Sequence, residues 1–173
     1  MGEITRVSAH LGVHAARPGP EGGAVLDPAN DAAFLTLEFE NGAQGTIEVS
    51  AMAHTGDRGQ EHHLRLYGQS GTLECVATSL ETSLVGARQD EKRLHELPIP
   101  DERWRGVDRT QPPMAQFIEA FNVQPIADRQ FIDAILEDRP VEPNFHDGLQ
   151  AQRVIDAAIR SHEQSVWVSL DDL

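Results

Sequence analysis

Residues 32–50 read AAFLTLEFENGAQGTIEVS, and this stretch decides the fold. Apolar and polar residues alternate on both sides of Asn41-Gly42. The apolar positions are Ala33, Leu35, Leu37 and Phe39 before the dipeptide, and Ile47, Val49 and Ala51 after it. Alternation of this kind is typical of strands that bury one side, and Asn-Gly between two such runs indicates a hairpin turn. The sequence therefore predicts a β-hairpin here.

The register of the hairpin follows from matching its apolar faces. A two-residue Asn-Gly loop would set Leu37 opposite Thr46, but directly opposed residues of antiparallel strands lie on the same face. A three-residue loop that ends at Gly42 sets Leu35 opposite Ile47 and matches the faces. We therefore predict this longer loop, with Gly42 in the left-handed conformation of a bulged turn.

The rest of the chain separates into strands followed by helices. Strands are predicted at residues 4–9, 62–67 and 72–77, with weaker ones at 81–87 and 92–97 and a closing one at 165–170. Loops are predicted at residues 15–31 and 98–113, and helices at 114–121, 127–138 and 146–163. The last helix has an apolar stripe formed by Gly148, Ala151, Val154, Ile155, Ala158 and Ile159.

This order predicts the α+β class. We expect one domain, residues 1–173, with a single open, predominantly antiparallel or mixed β-sheet and helices packed on one face. The second face is then uncovered, and a large uncovered sheet face often meets a second subunit. The sequence therefore predicts a homo-oligomer, most simply a dimer, through the open face.

Charge and composition restrict the partners. The chain has 28 acidic and 14 basic residues, a net charge of −14. Such a field repels nucleic acid and anionic membrane surfaces, so we expect neither as a partner. The sequence has neither an apolar run long enough to span a bilayer nor a signal-peptide layout at its start, which predicts a cytoplasmic protein.

Motifs for catalysis are scarce. The sequence contains no GxGxxG, GxxxxGK[ST], GxSxG or HExxH pattern. Cys75 is the one cysteine, which excludes a CxxC zinc site. A metal-dependent enzyme using His54, His63 and Cys75 is an alternative, although no spacing supports it and no metal site is the simpler expectation. His146-Asp147 is predicted to form the N-terminal cap of the last helix, where the helix dipole favours Asp147, and a catalytic His–Asp pair is the less favoured alternative. His162 is predicted to be a core or boundary histidine with its hydrogen bonds satisfied.

Four stretches in order resemble the C-terminal domain of the Gfo/Idh/MocA family of NAD(P)-dependent oxidoreductases. They are Gly2 to Val7, Asn30 to Thr46, Leu66 to Leu73, and Phe131 to Val168. They cover nearly the whole chain and include the family's hairpin, written D-A-x-x-x-L-x-F-x-N-G-A-x-G, and its G-x-x-G-x-L turn. The resemblance implies an open sheet that forms a substrate wall and a dimer surface.

The same resemblance implies that the redox machinery lies elsewhere. Family members carry an N-terminal Rossmann domain, a Glu-Lys-Pro lysine and a helix with catalytic Asp and His, and no position here matches them. We therefore expect no catalytic and no cofactor-binding residue in this chain, and NAD or NADP in the intact enzyme, with a sugar, polyol or similar hydroxy compound as substrate. His54, Arg58 and His146 are the candidates for lining the substrate. The alternative is a stand-alone binding or assembly domain with the same sheet.

Overall fold

The computed structural model describes residues 2–15, 29–126 and 128–173. The strands are β1 (Ile4–Gly12), β2 (Ala32–Phe39), β3 (Gln44–Ser50), β4 (His62–Gly68), β5 (Gly71–Ala77), β6 (Thr82–Arg88), β7 (His95–Glu96) and β8 (Val168–Ser169). The helices are α1 (Asp101–Trp104), α2 (Pro113–Val123), α3 (Asp128–Leu136) and α4 (Phe145–Gln164). The loop predicted at 15–31 falls for the most part outside the described residues.

The chain divides into two compact units. The first unit consists of Met1–Ala53 with Glu142–Leu173, and the second consists of His54–Val141. Each unit contains one four-stranded sheet, ordered β3-β2-β1-β8 in the first unit and β4-β5-β6-β7 in the second. Every strand pairing is antiparallel.

The α+β class and the antiparallel pairing are confirmed, but the strands form two sheets instead of the expected single sheet. The reason lies in the connection between β3 and β4. Residues 51–61 separate these strands and include a short 3₁₀ turn at Gly56–Arg58. The tight turns elsewhere in the chain force the strands on either side of them to pair. A connection of this length does not force β3 and β4 to pair.

The register predicted for the first hairpin is confirmed. Leu35 lies opposite Ile47, and Leu37 lies opposite Gly45. Gly42 has φ +81° and donates its N–H to the carbonyl of Phe39. This backbone conformation is one that glycine adopts without steric cost, which explains why a glycine ends the loop.

Helix α4 covers one face of the first sheet. The buried residues there are Val7, Leu37, Ala157, Ala158, Val168 and Leu170. The stripe predicted for α4 is wrong at Gly148, Ala151, Ile155 and Ile159, which are exposed, whereas Ser161 is buried. Small residues on this face let the helix approach the sheet closely, so the buried face is set by Ala157, Ala158 and Ser161.

Two further predictions need correction. Helix α1 interrupts the segment predicted as a loop at 98–113. The closing strand is limited to Val168–Ser169, because Ser165 ends α4 in the left-handed conformation and a 3₁₀ turn begins at Leu170. No helix in the described ranges combines the length and the apolar character that crossing a bilayer requires.

Candidate functional site

The segment between β3 and β4 carries two of the three substrate-lining candidates, His54 and Arg58. Both side chains are exposed. The Thr55 hydroxyl donates to the carbonyl of Gly59 at 2.6 Å, and the Ser79 N–H donates to the carbonyl of Arg58 at 2.9 Å. The backbone around Arg58 is therefore fixed at both ends of the turn.

Gly59 is required by this turn. Its φ is +66°, and a Cβ placed there would lie 2.5 Å from the hydroxyl oxygen of Ser79. Any other residue would have both an unfavourable backbone conformation and a steric overlap. The backbone of this turn therefore has a defined shape, and the exposed side chains of His54 and Arg58 are the hydrogen-bond donors on its surface.

Glu61 organises the charges of this turn. Its side chain is 16% exposed, and its carboxylate contacts the Arg58 guanidinium at 2.9 Å and the His63 imidazole at 3.0 Å. We refer to Arg58, Glu61 and His63 as the charge cluster. Sequence reasoning missed Glu61, although its position three residues after Arg58 is a signal that could have identified the pair.

The third candidate, His146, lies in the first unit at the start of α4. Asn144 is the N-cap, and its side-chain oxygen accepts the His146 N–H at 2.7 Å, while the Asp147 carboxylate accepts the Asn144 N–H at 2.7 Å. This capping box places Asp147 in the structural role that was predicted for it. The His146 ring is exposed and lies 3.3 Å from the amide nitrogen of Gln150.

The alternative metal site is wrong, because the register separates its members. His63 lies opposite Val76, whereas Cys75 lies opposite Leu64. Directly opposed residues share a face, so the side chains of His63 and Cys75 lie on opposite faces of the second sheet. Among the residues described, no group of three His, Cys, Asp or Glu side chains is placed to hold a metal ion.

The described residues do not fit a dinucleotide. That group is held where a glycine-rich turn leads from a strand of a parallel sheet into a helix N-terminus. Both sheets here are antiparallel, and the turns at Gly42 and Gly71 join strand to strand. No step of the chemistry is therefore assigned to a nucleotide held by these residues.

The open face of the first sheet lies opposite α4. By register it consists of Arg6, Ser8, His10, Phe34, Thr36, Glu38, Thr46 and Glu48. Arg6 pairs with Glu38 at 3.0 Å and lies 5.1 Å from the Trp167 ring centroid. Phe34, near the start of β2 on this face, is 51% exposed. The open face is polar at its β8 edge and has one aromatic anchor.

Comparison with solved structures gives the same fold in oxidoreductases. Levoglucosan dehydrogenase in complex with NADH and levoglucosan aligns with a TM-score of 0.66 and 23% identity, over 97% of this chain and 45% of that one. An oxidoreductase domain protein from Kribbella flavida aligns with a TM-score of 0.68 and 26% identity, over 96% and 44%. The WlbA dehydrogenase from Bordetella pertussis, in complex with NADH and UDP-GlcNAcA, aligns with a TM-score of 0.59 and 18% identity, over 97% and 42%.

These alignments have one feature in common. The chain spans less than half the length of each of the three structures. A comparison with curated proteins gives no match. The family model described as "Oxidoreductase family, C-terminal alpha/beta domain" matches residues 1–170. The chain therefore belongs to the Gfo/Idh/MocA oxidoreductase family and corresponds to its C-terminal alpha/beta domain.

Proposed function

We propose that residues 1–173 are the C-terminal sheet domain of an NAD(P)-dependent oxidoreductase that acts on a sugar, polyol or similar hydroxy compound. The observation that carries this proposal is the family match over residues 1–170. Relatives of the same fold have been solved with NADH and with sugar-type ligands, and they are more than twice as long. A Rossmann domain N-terminal to this region supplies the nucleotide site, and the domain alone is inactive.

In this proposal the chain contributes a wall for the substrate. His54, Arg58 and His146 are the substrate-lining residues, because exposed imidazole and guanidinium groups donate hydrogen bonds to hydroxyl oxygens. His54 and Arg58 lie in the turn before β4, and His146 lies at the start of α4. The role of each residue is an independent proposal. The open face of the first sheet is the dimer surface, and the protein functions in the cytoplasm.

Nucleotide binding is tested first, by titration calorimetry of the 173-residue chain with NADH and with NADPH. We expect no binding, because the residues that hold the nucleotide lie in the Rossmann domain. A stoichiometric binding isotherm from this chain would contradict the proposal that the nucleotide site lies in the Rossmann domain.

The substrate wall is tested in the longer polypeptide read from the coding sequence upstream of Met1. Single alanine variants of His54, Arg58 and His146 are expected to raise KM for the sugar substrate, with lysine at position 58 as the conservative control. An upstream region without an in-frame Rossmann segment would instead support a stand-alone binding or assembly domain.

A further inference from the structure

We propose that Glu61 is the positioning residue of the turn before β4, and that it makes the surface around Arg58 selective for an uncharged hydroxyl ligand over a carboxylate. This inference rests on the proposed function for the location of the substrate. It extends that function by naming the chemical class of ligand that Arg58 accepts and the residue that determines it.

The Glu61 carboxylate lies under the side chains of Arg58 and His63. Its side chain is 16% exposed, whereas the side chains of Arg58 and His63 are 52% and 60% exposed. The carboxylate therefore lies beneath two exposed donors and contacts both of them. Glu61 Oε2 shares a hydrogen bond with the His63 ring, whereas Oε1 is buried, makes no hydrogen bond within the described part of the chain and is offset by the charge of Arg58 alone.

Arg58 presents hydrogen-bond donors to solvent, but its charge is already paired. A guanidinium has five N–H donors, and its contact with Glu61 leaves donors facing solvent. Those donors remain available to hydroxyl oxygens. The positive charge, however, is already balanced by Glu61 at 2.9 Å, so a second carboxylate gains little attraction from Arg58 and meets the repulsion of the first.

The backbone of the turn is held independently of Glu61. The Thr55 hydroxyl and the Ser79 N–H hold the backbone carbonyls of Gly59 and Arg58. Removal of the Glu61 charge therefore releases the Arg58 side chain without opening the turn itself. The whole chain has a net charge of −14, which adds to the disadvantage of an anionic ligand.

The test is an NMR titration of the ¹⁵N-labelled 173-residue chain with D-glucitol and with D-gluconate at equal ionic strength. The readout is the Nε–Hε signal of Arg58, assigned by its loss in Arg58→Lys. We expect the wild-type signal to respond to glucitol and to respond more weakly to gluconate. Glu61→Gln should strengthen the gluconate response relative to the glucitol response by about fivefold.

The matched control is Glu74→Gln, which removes the same charge from a second ion pair of this unit, Arg65 with Glu74 at 2.8 Å. If both variants gain gluconate binding equally, net charge explains the effect and the role of Glu61 is refuted. Equal responses of the wild-type chain to the two probes would refute the selectivity but leave the substrate wall intact. No response at Arg58 or His54 to either probe in any variant would remove the site and the inference together.

Discussion

The Ser161 hydroxyl of α4 accepts a hydrogen bond from the backbone N–H of Ala9 in β1, at 2.9 Å. The same hydroxyl donates to the carbonyl of Val166. Strand β8 pairs only with Arg6 and Val7, so the edge of β1 continues beyond the end of its partner strand. The side chain of Ser161 therefore takes over the pairing that a longer β8 would have provided.

A neighbouring side chain extends the same arrangement. The His162 Nδ1 accepts the N–H of Leu11 at 3.3 Å, and its ring packs edge-on against His10 with centroids 5.3 Å apart. Of the two positions predicted for His162, core or boundary, the structure shows the boundary one, with the ring hydrogen-bonded. The last turn of α4 satisfies two amide groups on one edge of β1, which an exposed strand edge would leave available to other chains.

Ser161→Ala is expected to destabilise the first unit. The substitution leaves the Ala9 N–H and the Val166 carbonyl without their partner in a partly buried position, and we expect a loss of about 1–2 kcal/mol. Urea unfolding followed by circular dichroism measures the loss, and hydrogen exchange at the Ala9 amide localises it. Ser50→Ala, at an exposed position of the same sheet, serves as the control. Unchanged protection of the Ala9 amide in Ser161→Ala would contradict this account.

Phe34→Lys tests the open face as a dimer surface. Phe34 lies opposite His10 on one side and Glu48 on the other, and it is 51% exposed. A lysine there would replace the aromatic anchor by a charge, and we expect dimer affinity to fall by about thirtyfold or more. Light scattering coupled to size-exclusion chromatography measures the oligomeric state of the wild-type chain and of the variant.

The matched control for that experiment is Val49→Lys. Val49 is 56% exposed but lies on the other face of the same hairpin, by the register that pairs it with Ala33. The control should leave the dimer intact. A monomeric wild-type chain, or equal effects of the two lysines, would exclude the open face as the interface.

Sequence reasoning succeeded where the pattern is local. The hairpin register depends on alternation over a few residues and on Gly42, all of which are visible in one stretch of sequence. The face of α4 was misjudged because apolar character was taken to mean burial, whereas Ser161 is buried through hydrogen bonds to residues 152 and 5 positions away. Hydrogen-bond partners of this kind are brought together only by folding, so they produce no periodic pattern of residue types in the sequence.

In the candidate site, too, the sequence predicted the residues marked by a local pattern and missed the one that depends on folded contacts. His54 and Arg58 were identified from their place after the second hairpin strand, but Glu61 was not considered. Its importance comes from its burial beneath Arg58 and His63, which a single sequence does not reveal. The separation of His63 from Cys75 likewise follows from the pairing of β4 with β5, which fixes the faces of both residues.

Asp108 is expected to titrate below its ordinary pKa of 3.8. The Thr110 hydroxyl and N–H and the Gln111 side chain donate hydrogen bonds to its carboxylate, and they lower its pKa because they favour the charged form. These bonds stabilise the turn above pH 3.8, and the stabilisation is lost as the pH falls through the lowered pKa. A ¹³C-detected NMR titration measures the midpoint. Thr110→Val should move it upward, and an unchanged midpoint in that variant would contradict the assigned cause.

Glycine-to-alanine substitutions at Gly86 and Gly148 are expected to have opposite effects on stability. At Gly86 in β6 an added Cβ would lie 2.8 Å from side-chain carbons of Leu73 and Leu97 and 2.9 Å from the carbonyl oxygen of Thr72. The backbone oxygen cannot move aside cheaply, so Gly86→Ala should cost about 1–3 kcal/mol.

At Gly148 in α4 no atom lies within 4 Å of an added Cβ, and the position is exposed. Alanine there lowers the conformational entropy of the unfolded chain and improves helix propensity, so Gly148→Ala should stabilise by about 0.5–1 kcal/mol. Thermal and urea unfolding of both variants measure the two effects. Because the chemical change is identical, a shift of the same sign in both proteins would show that local space does not govern the outcome and would contradict the packing described for β6.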